Sequence, residues 1–502
     1  MLAALLVGTA LLARSNLQDR QLVPAPGPPG AKLAECGGRL PGSSPSLPGT
    51  HDRKVFAHYF PPYPISLDNK PPRATDLSKA DYYTRNYLTV NGENDKHAVY
   101  GGLLRDRPIP RPPVAGAAWR LADLRTEVKE AKAAGLDGFT LNLLTIDGQN
   151  WDWSVLMMKA AQQVGGFEVV PNLDASASFA THSPAEVADK LAELYGYRSA
   201  AREAGAYLLS SFKAENKSPS WWAEVISLLK SDHDVPVKLI AVFLDASDAN
   251  MEAYRKVAYA YGIWGVRTVA SVRDAPDYAA KAHALGKKWM APVAPQDERP
   301  REQNYAEASN TGLLRAMWAR ADADRADYVQ IVTWNDYSES TQIAPSVAHG
   351  CVFLDLMAYY AARFVRGSAP EITTDRLYLT HRIQPSDAVP VRGNPTAAYT
   401  MGGMNTPPKN NVEGLAFLTA PATLSLTSGG VTTTFALKAG ISAVTVPLRT
   451  GTVSARLSRG SRTLQSLTSP FQVTRAPEVL DFQYFAVGSP RVMRYQSFPL
   501  RW

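Results

Sequence analysis

A chain of 502 residues with 45% hydrophobic and 20% charged side chains is long enough for two domains and too apolar to be disordered throughout. Its net charge of +7 arises from Lys and Arg interspersed with acids, so no basic stripe marks a nucleic-acid partner. The two cysteines, Cys36 and Cys351, offer neither metal spacing nor a disulfide framework, and Cys351 opens an apolar run that predicts a small buried side chain.

Residues 1–20 begin MLAALLVGTALLARSN, the apolar core of a signal peptide with small residues Gly8, Ala10 and Ala13 near its end, although no basic residue precedes Arg14. Residues 21–50 are a Pro/Gly/Ser-rich linker. Together they predict a secreted protein. No stretch reaches the roughly 18 apolar residues of a membrane span.

From Lys54 the pattern becomes regular. Short apolar runs suited to buried parallel strands fall at Val55–Phe60, Gly138–Leu144, Phe167–Leu173, Ala206–Phe212, Val237–Leu244, Ile263–Ala270, Lys288–Val293 and Tyr328–Trp334. Helical periodicity separates them, including Leu121–Ala134, Trp153–Val164, Pro184–Arg202 and Asn250–Tyr261, and Val352–Val365 follows the last strand. Gly135, Gly165, Gly205, Gly262 and Gly286 stand where helices would stop. This alternation predicts a (β/α)₈ TIM barrel over residues 51–370. Residues 61–118 form an insertion after the first strand, rich in Pro and Tyr and placed at the catalytic face. Residues 371–502, with short Thr/Val/Leu runs and turn signals, predict an accessory β-sandwich that braces the barrel.

In such a barrel the chemistry sits at the carboxyl ends of the strands. Candidates there are His58 and Tyr59, Asn142 and Asp147, Asn172 and Asp174, Glu215, Asp245 and Arg273, and after strand eight Trp334, Asn335, Asp336, Tyr337 and Glu339. Individually, Asp174 or Asp245 is as well explained as a turn or helix cap, and His58 as a hydrogen-bonded core histidine. Their convergence on one rim is the stronger signal, because gathered carboxylates raise one another's pKa and divide into acid and base. Tyr59, Trp151, Trp264, Trp334 and Tyr337 would supply stacking faces. No HExxH or similar spacing supports a metal, no glycine-rich turn supports a phosphate, and no cofactor is expected.

Six segments carry a family resemblance: KVFAHYF (54–60), GLDGFTLNL (135–143) with Asp147, VVPNLDAS (169–176), LLSSFKAE (208–215), KWMAPVAP (288–295) and VTWNDYSES (332–340). In these the chain resembles the α-1,3-glucanases, or mutanases, of glycoside hydrolase family 71. The resemblance implies an inverting endo-acting hydrolase of α-1,3-glucan with Asp336 and Glu339 as catalytic carboxylates; Glu339 as acid and Asp336 as base is the working assignment, and the sequence leaves their order open. It matches a third acid to Asp147. His58, Tyr59, Asn142, Asp174, Glu215, Asp245, Trp334, Asn335 and Tyr337 are then expected to bind substrate. Three departures stand out: Ser338 replaces a glycine, LLSSFKAE replaces a Phe-Glu-Gly sequence, and residues 61–118 are a long insertion. A polysaccharide is the expected partner, with no nucleic acid and no second subunit. The rival expectations are a hydrolase of another α-linked polysaccharide and a non-catalytic glycan-binding barrel.

Overall fold

The computed structural model describes residues 52–71, 77–391, 400–401 and 406–488. The signal and linker segments, residues 1–20 and 21–50, lie outside them. Eight parallel strands close into a barrel: β1 (Lys54–Tyr59), β2 (Gly138–Leu143), β3 (Glu168–Asp174), β4 (Ala206–Phe212), β5 (Val237–Phe243), β6 (Ala258–Ile263), β7 (Lys288–Val293) and β8 (Tyr328–Ile331). Closure is explicit in the register, which sets Lys54 opposite Tyr328 and Ala57 opposite Ile331. Both strand faces are buried, and this is why the strands read as continuous apolar runs. Phe56, Val170, Leu208, Ile240, Ala260 and Met290 fill the interior. Val55, Ala57, Phe139, Val169 and Leu239 point outward, against the helices.

The helices are α1 (Trp119–Ala133), α2 (Gly148–Val164), α3 (Pro184–Tyr195), α4 (Pro219–His233), α5 (Asp248–Ala253), α6 (Val269–Asp274), α7 (Tyr278–Ala284), α8 (Gly312–Ala323) and α9 (Val352–Arg366). Their starts follow local chemistry. Ser183 and Glu186 form a reciprocal capping box at α3, with Pro184 at the first position, and Ser218 caps α4.

The sixth strand differs from expectation. It runs Ala258–Ile263, where the sequence predicts the tail of a helix, and the predicted strand Ile263–Ala270 is mostly loop and α6. The reason is a two-residue alternation that mimics helical spacing over a short window. Ala260 faces the barrel interior, while Tyr261 points outward and donates to the Met251 carbonyl at 2.6 Å. Gly262 is no helix stop. A Cβ there would lie 3.2 Å from the Met290 carbonyl oxygen, so the close approach of β7 selects glycine. Arg273, expected at the rim, lies on α6 and pairs with Asp274.

The C-terminal region holds two antiparallel four-stranded sheets. The inner one comprises β9 (Arg376–His381), β10 (Asn411–Leu418), β13 (Gly440–Pro447) and β16 (Phe485–Gly488); the outer comprises β11 (Ala422–Ser428), β12 (Val431–Leu437), β14 (Val453–Arg459) and β15 (Arg462–Thr468). Leu377, Leu379, Val412, Leu424, Leu426 and Leu457 form the core between them. The other face of the inner sheet joins the barrel core through Tyr378, Leu415 and Phe417, and Phe417 packs edge-on against Tyr359 of α9 at 5.0 Å. The molecule is therefore layered as barrel, shared sheet, outer sheet.

The described residues of the insertion, 61–71 and 77–118, are mostly turns around a tyrosine-rich core of Tyr63, Tyr83, Leu88, Leu103, Leu104 and Tyr337. Arg107 forks onto Asp81 with bonds of 3.0 and 2.7 Å, and Arg105 donates to the Leu480 carbonyl at 2.7 Å. This segment thus ties β1 to both the eighth-strand loop and the C-terminal region. Cys351, expected as a plain buried thiol, is buried but disulfide-bonded. Its partner lies outside the described residues.

Candidate active site

Strand parity decides which rim residues face the barrel mouth. On β1 His58 points inward and Tyr59 outward. His58 lies within reach of Thr140 (3.3 Å) and Gln330 (3.4 Å), with Trp264 edge-on at 4.8 Å. Burial pushes its pKa down to about 3, so it is a neutral hydrogen-bonding group. Beside it Asn172 donates to Asn142 at 3.0 Å, and Asn142 donates to Asp174 at 3.3 Å. Asp174 also takes two bonds from Ser176, at 2.9 and 2.6 Å, as an ordinary turn aspartate does. Phe212 and Trp264, ring centroids 4.8 Å apart, supply an aromatic floor.

Tyr59 and Trp334 behave differently from the expected sugar platforms. Both lie in the wall, where the Tyr59 hydroxyl donates to Glu127 at 2.8 Å and the Trp334 ring N–H to the same carboxyl at 3.2 Å. Asn335 is a tether: its amide brackets Phe60 with bonds of 2.7 and 3.0 Å and donates to the Tyr63 carbonyl at 2.8 Å. Tyr337 is sealed under the insertion core, and Trp151 is buried on α2. Tyr59, Trp334, Asn335 and Tyr337 thus hold the loop that follows β8.

That loop presents the carboxylate pair. Asp336 is anchored through its own N–H to the Thr333 hydroxyl at 2.8 Å, and its Oδ1 accepts from the Ser338 N–H (3.0 Å) and hydroxyl (2.6 Å). The serine in place of glycine thus adds a second donor to one catalytic candidate. Glu339 pairs through Oε1 with Arg299 Nη1 at 3.0 Å, while its Oε2 is buried without a hydrogen-bond partner among the described residues. Burial, then the charge of Asp336, push the Glu339 pKa up to about 8; Arg299 opposes the shift. Burial also raises Asp336, against the two Ser338 bonds that favour its ionised form. Some solvent reaches the Glu339 side chain, 21% exposed, but not its Oε2.

A third carboxylate, absent from the sequence expectation, acts on both. After β7 a short hairpin pairs Asp297–Arg299 with Asn304–Ala306, and the Glu298 N–H donates to the Glu339 carbonyl at 2.8 Å. Asp297 and Arg299 share one face of this hairpin and are joined by two bonds of 2.9 and 2.8 Å. Arg267 lies 3.2 Å from the same aspartate. The negative charge of Asp297 contributes to the upward shift of both Asp336 and Glu339. The signal available in the sequence was DER, alternating acid and base just past KWMAPVAP.

The remaining acids stand apart. Asp147 is exposed at the N-cap position of α2 and makes no capping bond with its side chain. Glu215 accepts from the Leu244 and Asp245 N–H groups at 2.9 and 2.8 Å, tying the β4 loop to the β5 loop. Asp245 accepts from Ser247 and Asn250 as a turn residue. Among the described residues no group of three His, Cys, Asp or Glu could hold a metal ion.

A fully buried, unpartnered carboxyl oxygen beside a fixed carboxylate, at the mouth of a closed barrel, is an arrangement suited to proton donation and water activation. Comparison with known proteins gives the family. The chain is 26% identical over 382 residues to the glucan endo-1,3-alpha-glucosidase agn1 of Schizosaccharomyces pombe, covering 70% of this chain and 87% of that one. It is 24% identical over 373 residues to the mutanase Pc12g07500 of Penicillium rubens, covering 69% and 80%. Among solved structures, the GH99 endo-alpha-mannosidase from Bacteroides thetaiotaomicron overlaps 62% of this chain and 97% of its own at 16% identity and a TM-score of 0.46. The profile of glycosyl hydrolase family 71 matches residues 115–488, from just before α1 to the end of β16. The chain belongs to that family and is a glycoside hydrolase.

Proposed function

We propose that this hydrolase cleaves α-1,3-glucosidic bonds within α-1,3-glucan, with inversion, Glu339 acting as general acid and Asp336 as general base. The observation that carries the reading is the unequal footing of two carboxyls on one turn. Glu339 Oε2 is buried and unpartnered, whereas Asp336 Oδ1 is held by two donors. The one proton that the pair retains at neutral pH therefore resides on Glu339.

In the reaction Glu339 gives its proton to the glycosidic oxygen as the bond to the anomeric carbon breaks. Water attacks that carbon from the opposite face and loses its proton to Asp336. The named activities of the relatives support the substrate, and the exposed carboxylate of Asp147 and the half-buried Trp264 are the rim groups best placed to meet it. The oxidised Cys351 supports action outside the cytosol, as the sequence of residues 1–20 predicts.

The test is a panel of soluble α- and β-linked glucans with wild type, Asp336→Asn and Glu339→Gln. Wild type is expected to release sugars from α-1,3-glucan, with each variant slowed about 10²–10⁴-fold. Intact α-1,3-glucan beside another degraded polymer would remove the substrate, and near-wild-type rates in both variants would move the chemistry elsewhere.

A further inference from the structure

Arg299 sits between two carboxylates with different geometry to each. Toward Asp297 it presents its Nε and Nη2 in a two-bond fork, which fixes the guanidinium plane. Toward Glu339 it presents Nη1 to a single oxygen, Oε1, at 3.0 Å. Arginine carries only donors, so the oxygen it touches must act as acceptor. The carbonyl oxygen of a neutral carboxyl is the better acceptor, so Arg299 favours Oε1 as that oxygen and leaves the proton to Oε2. That is the atom buried without a partner. Arg267 secures the clasp from behind: it lies 3.2 Å from Asp297 Oδ2 and donates to the Trp264 carbonyl at 2.8 Å.

We propose that Asp297 and Arg299 form a positioning clasp that assigns the catalytic proton to Oε2 of Glu339, neither residue touching the reacting atoms. The proposal rests on the reading of Glu339 as general acid. It also gives the hairpin after β7 a function: its two-residue alternation sets Asp297 and Arg299 on one face, and its Glu298 N–H holds the Glu339 main chain at 2.8 Å. Side chain and backbone of the acid are thus fixed by one three-residue strand.

The charged groups that act on Glu339 are Asp336 and Asp297, which favour its neutral form, and Arg299 and Arg267, which favour its ionised form. Glu302 lies beyond, 3.5 Å from Arg299 Nη1. The signs follow. The acid works while protonated, so its pKa sets the alkaline limb of kcat/KM. Removing the negative charge in Asp297→Asn lowers that pKa and moves the limb to lower pH. Removing the positive charge in Arg299→Met raises it and moves the limb to higher pH. Opposite shifts from two residues of one ion pair are not what loss of a structural contact produces.

The experiment measures kcat and KM against pH on a soluble α-1,3-linked oligosaccharide, with Glu339→Gln as control. The clasp predicts limb shifts of about one pH unit in opposite directions. It also predicts kcat reduced about tenfold or more with KM little changed, and Arg299→Lys returning the limb close to its wild-type position with only part of the rate. The near-isosteric Asp297→Asn and Arg299→Lys carry the test if Arg299→Met does not fold. The infrared band of the protonated carboxyl lost in Glu339→Gln reads the same titration without turnover. Limbs that stay in place, or move together, while kcat falls would overturn the clasp yet leave the acid assignment intact. An active Glu339→Gln would instead overturn the acid assignment and, with it, the clasp.

Discussion

Two residues apart from Asp336, Ser338 decides how that carboxylate is held. Its N–H and hydroxyl converge on Oδ1, and the hydroxyl bond, at 2.6 Å, is the shorter. A hydrogen bond to a charged group contributes about 1.5–3 kcal/mol. Ser338→Ala is therefore expected to lower kcat about tenfold or more with the melting temperature nearly unchanged. Because the lost bond favours ionised Asp336, its pKa rises in the variant, and the acidic limb of the pH profile moves upward. A limb that stays in place would show that the hydroxyl does not tune the base. At this scale the sequence revealed types better than directions. Asp336 and Glu339 stand out as candidates in the sequence through the TWNDYSES motif and the convergence of acids on one rim, since their spacing alone fits an ordinary capping pair as well. Tyr59 and Trp334 were misassigned because one step along the chain turns a side chain from mouth to wall. Asp297 was missed because its meaning depends on a hairpin that folds it back beside another strand's loop.

Among the elements, α1 supports the loop that follows β8 from behind the barrel wall. Glu127 receives both the Tyr59 hydroxyl and the Trp334 ring N–H, and burial pushes its pKa up to about 8. A carboxyl raised above its unfolded value binds its proton more tightly when folded. Its contribution to stability is complete below about pH 4.5 and declines as pH rises through about 8. Glu127→Gln, which mimics the neutral form, should flatten that part of the decline in melting temperature, with stability near wild type at about pH 4.5 and below. Glu127→Ala should cost about 2–6 kcal/mol by leaving two buried donors unpaired, at about 1–3 kcal/mol each. An equally steep decline in Glu127→Gln would assign the effect to other acids. Elements were readable from sequence where burial was uniform or cleanly alternating. Seven barrel strands were marked near their observed positions, and β11 alternates buried and half-buried along ATLSLTS. The inner-sheet strand β10, NVEGLAFL, is buried on both faces between barrel and outer sheet and carries Glu413 and Gly414, so it shows no period. Glu413 is there because it receives the Thr311 N–H at 3.2 Å and pairs with Arg315 at 3.0 Å, contacts no local pattern announces.

Across the whole molecule, the barrel and the C-terminal sheets share buried polar contacts as well as apolar surface. Arg382 pairs with Glu307 at 2.9 Å, and the Tyr484 hydroxyl donates to the same glutamate at 2.6 Å. Removing one partner of such a buried pair costs about 3–5 kcal/mol, because the other charge is left uncompensated. Barrel and sandwich are therefore expected to unfold together. Calorimetry should give one transition, moved as a unit by Arg382→Met, and two separable transitions would show that the sheets merely hang on the barrel. A single transition would assign the sandwich the role of bracing the fold that presents the Asp336–Glu339 turn. The most direct test of what that turn does is the configuration of the first sugar released. Proton NMR of an α-1,3-linked oligosaccharide digest, read before mutarotation, should show the β-anomer with wild type and no release above background with Asp336→Asn or Glu339→Gln. An α-anomer appearing first, or release by the variants at the wild-type rate, would contradict the account.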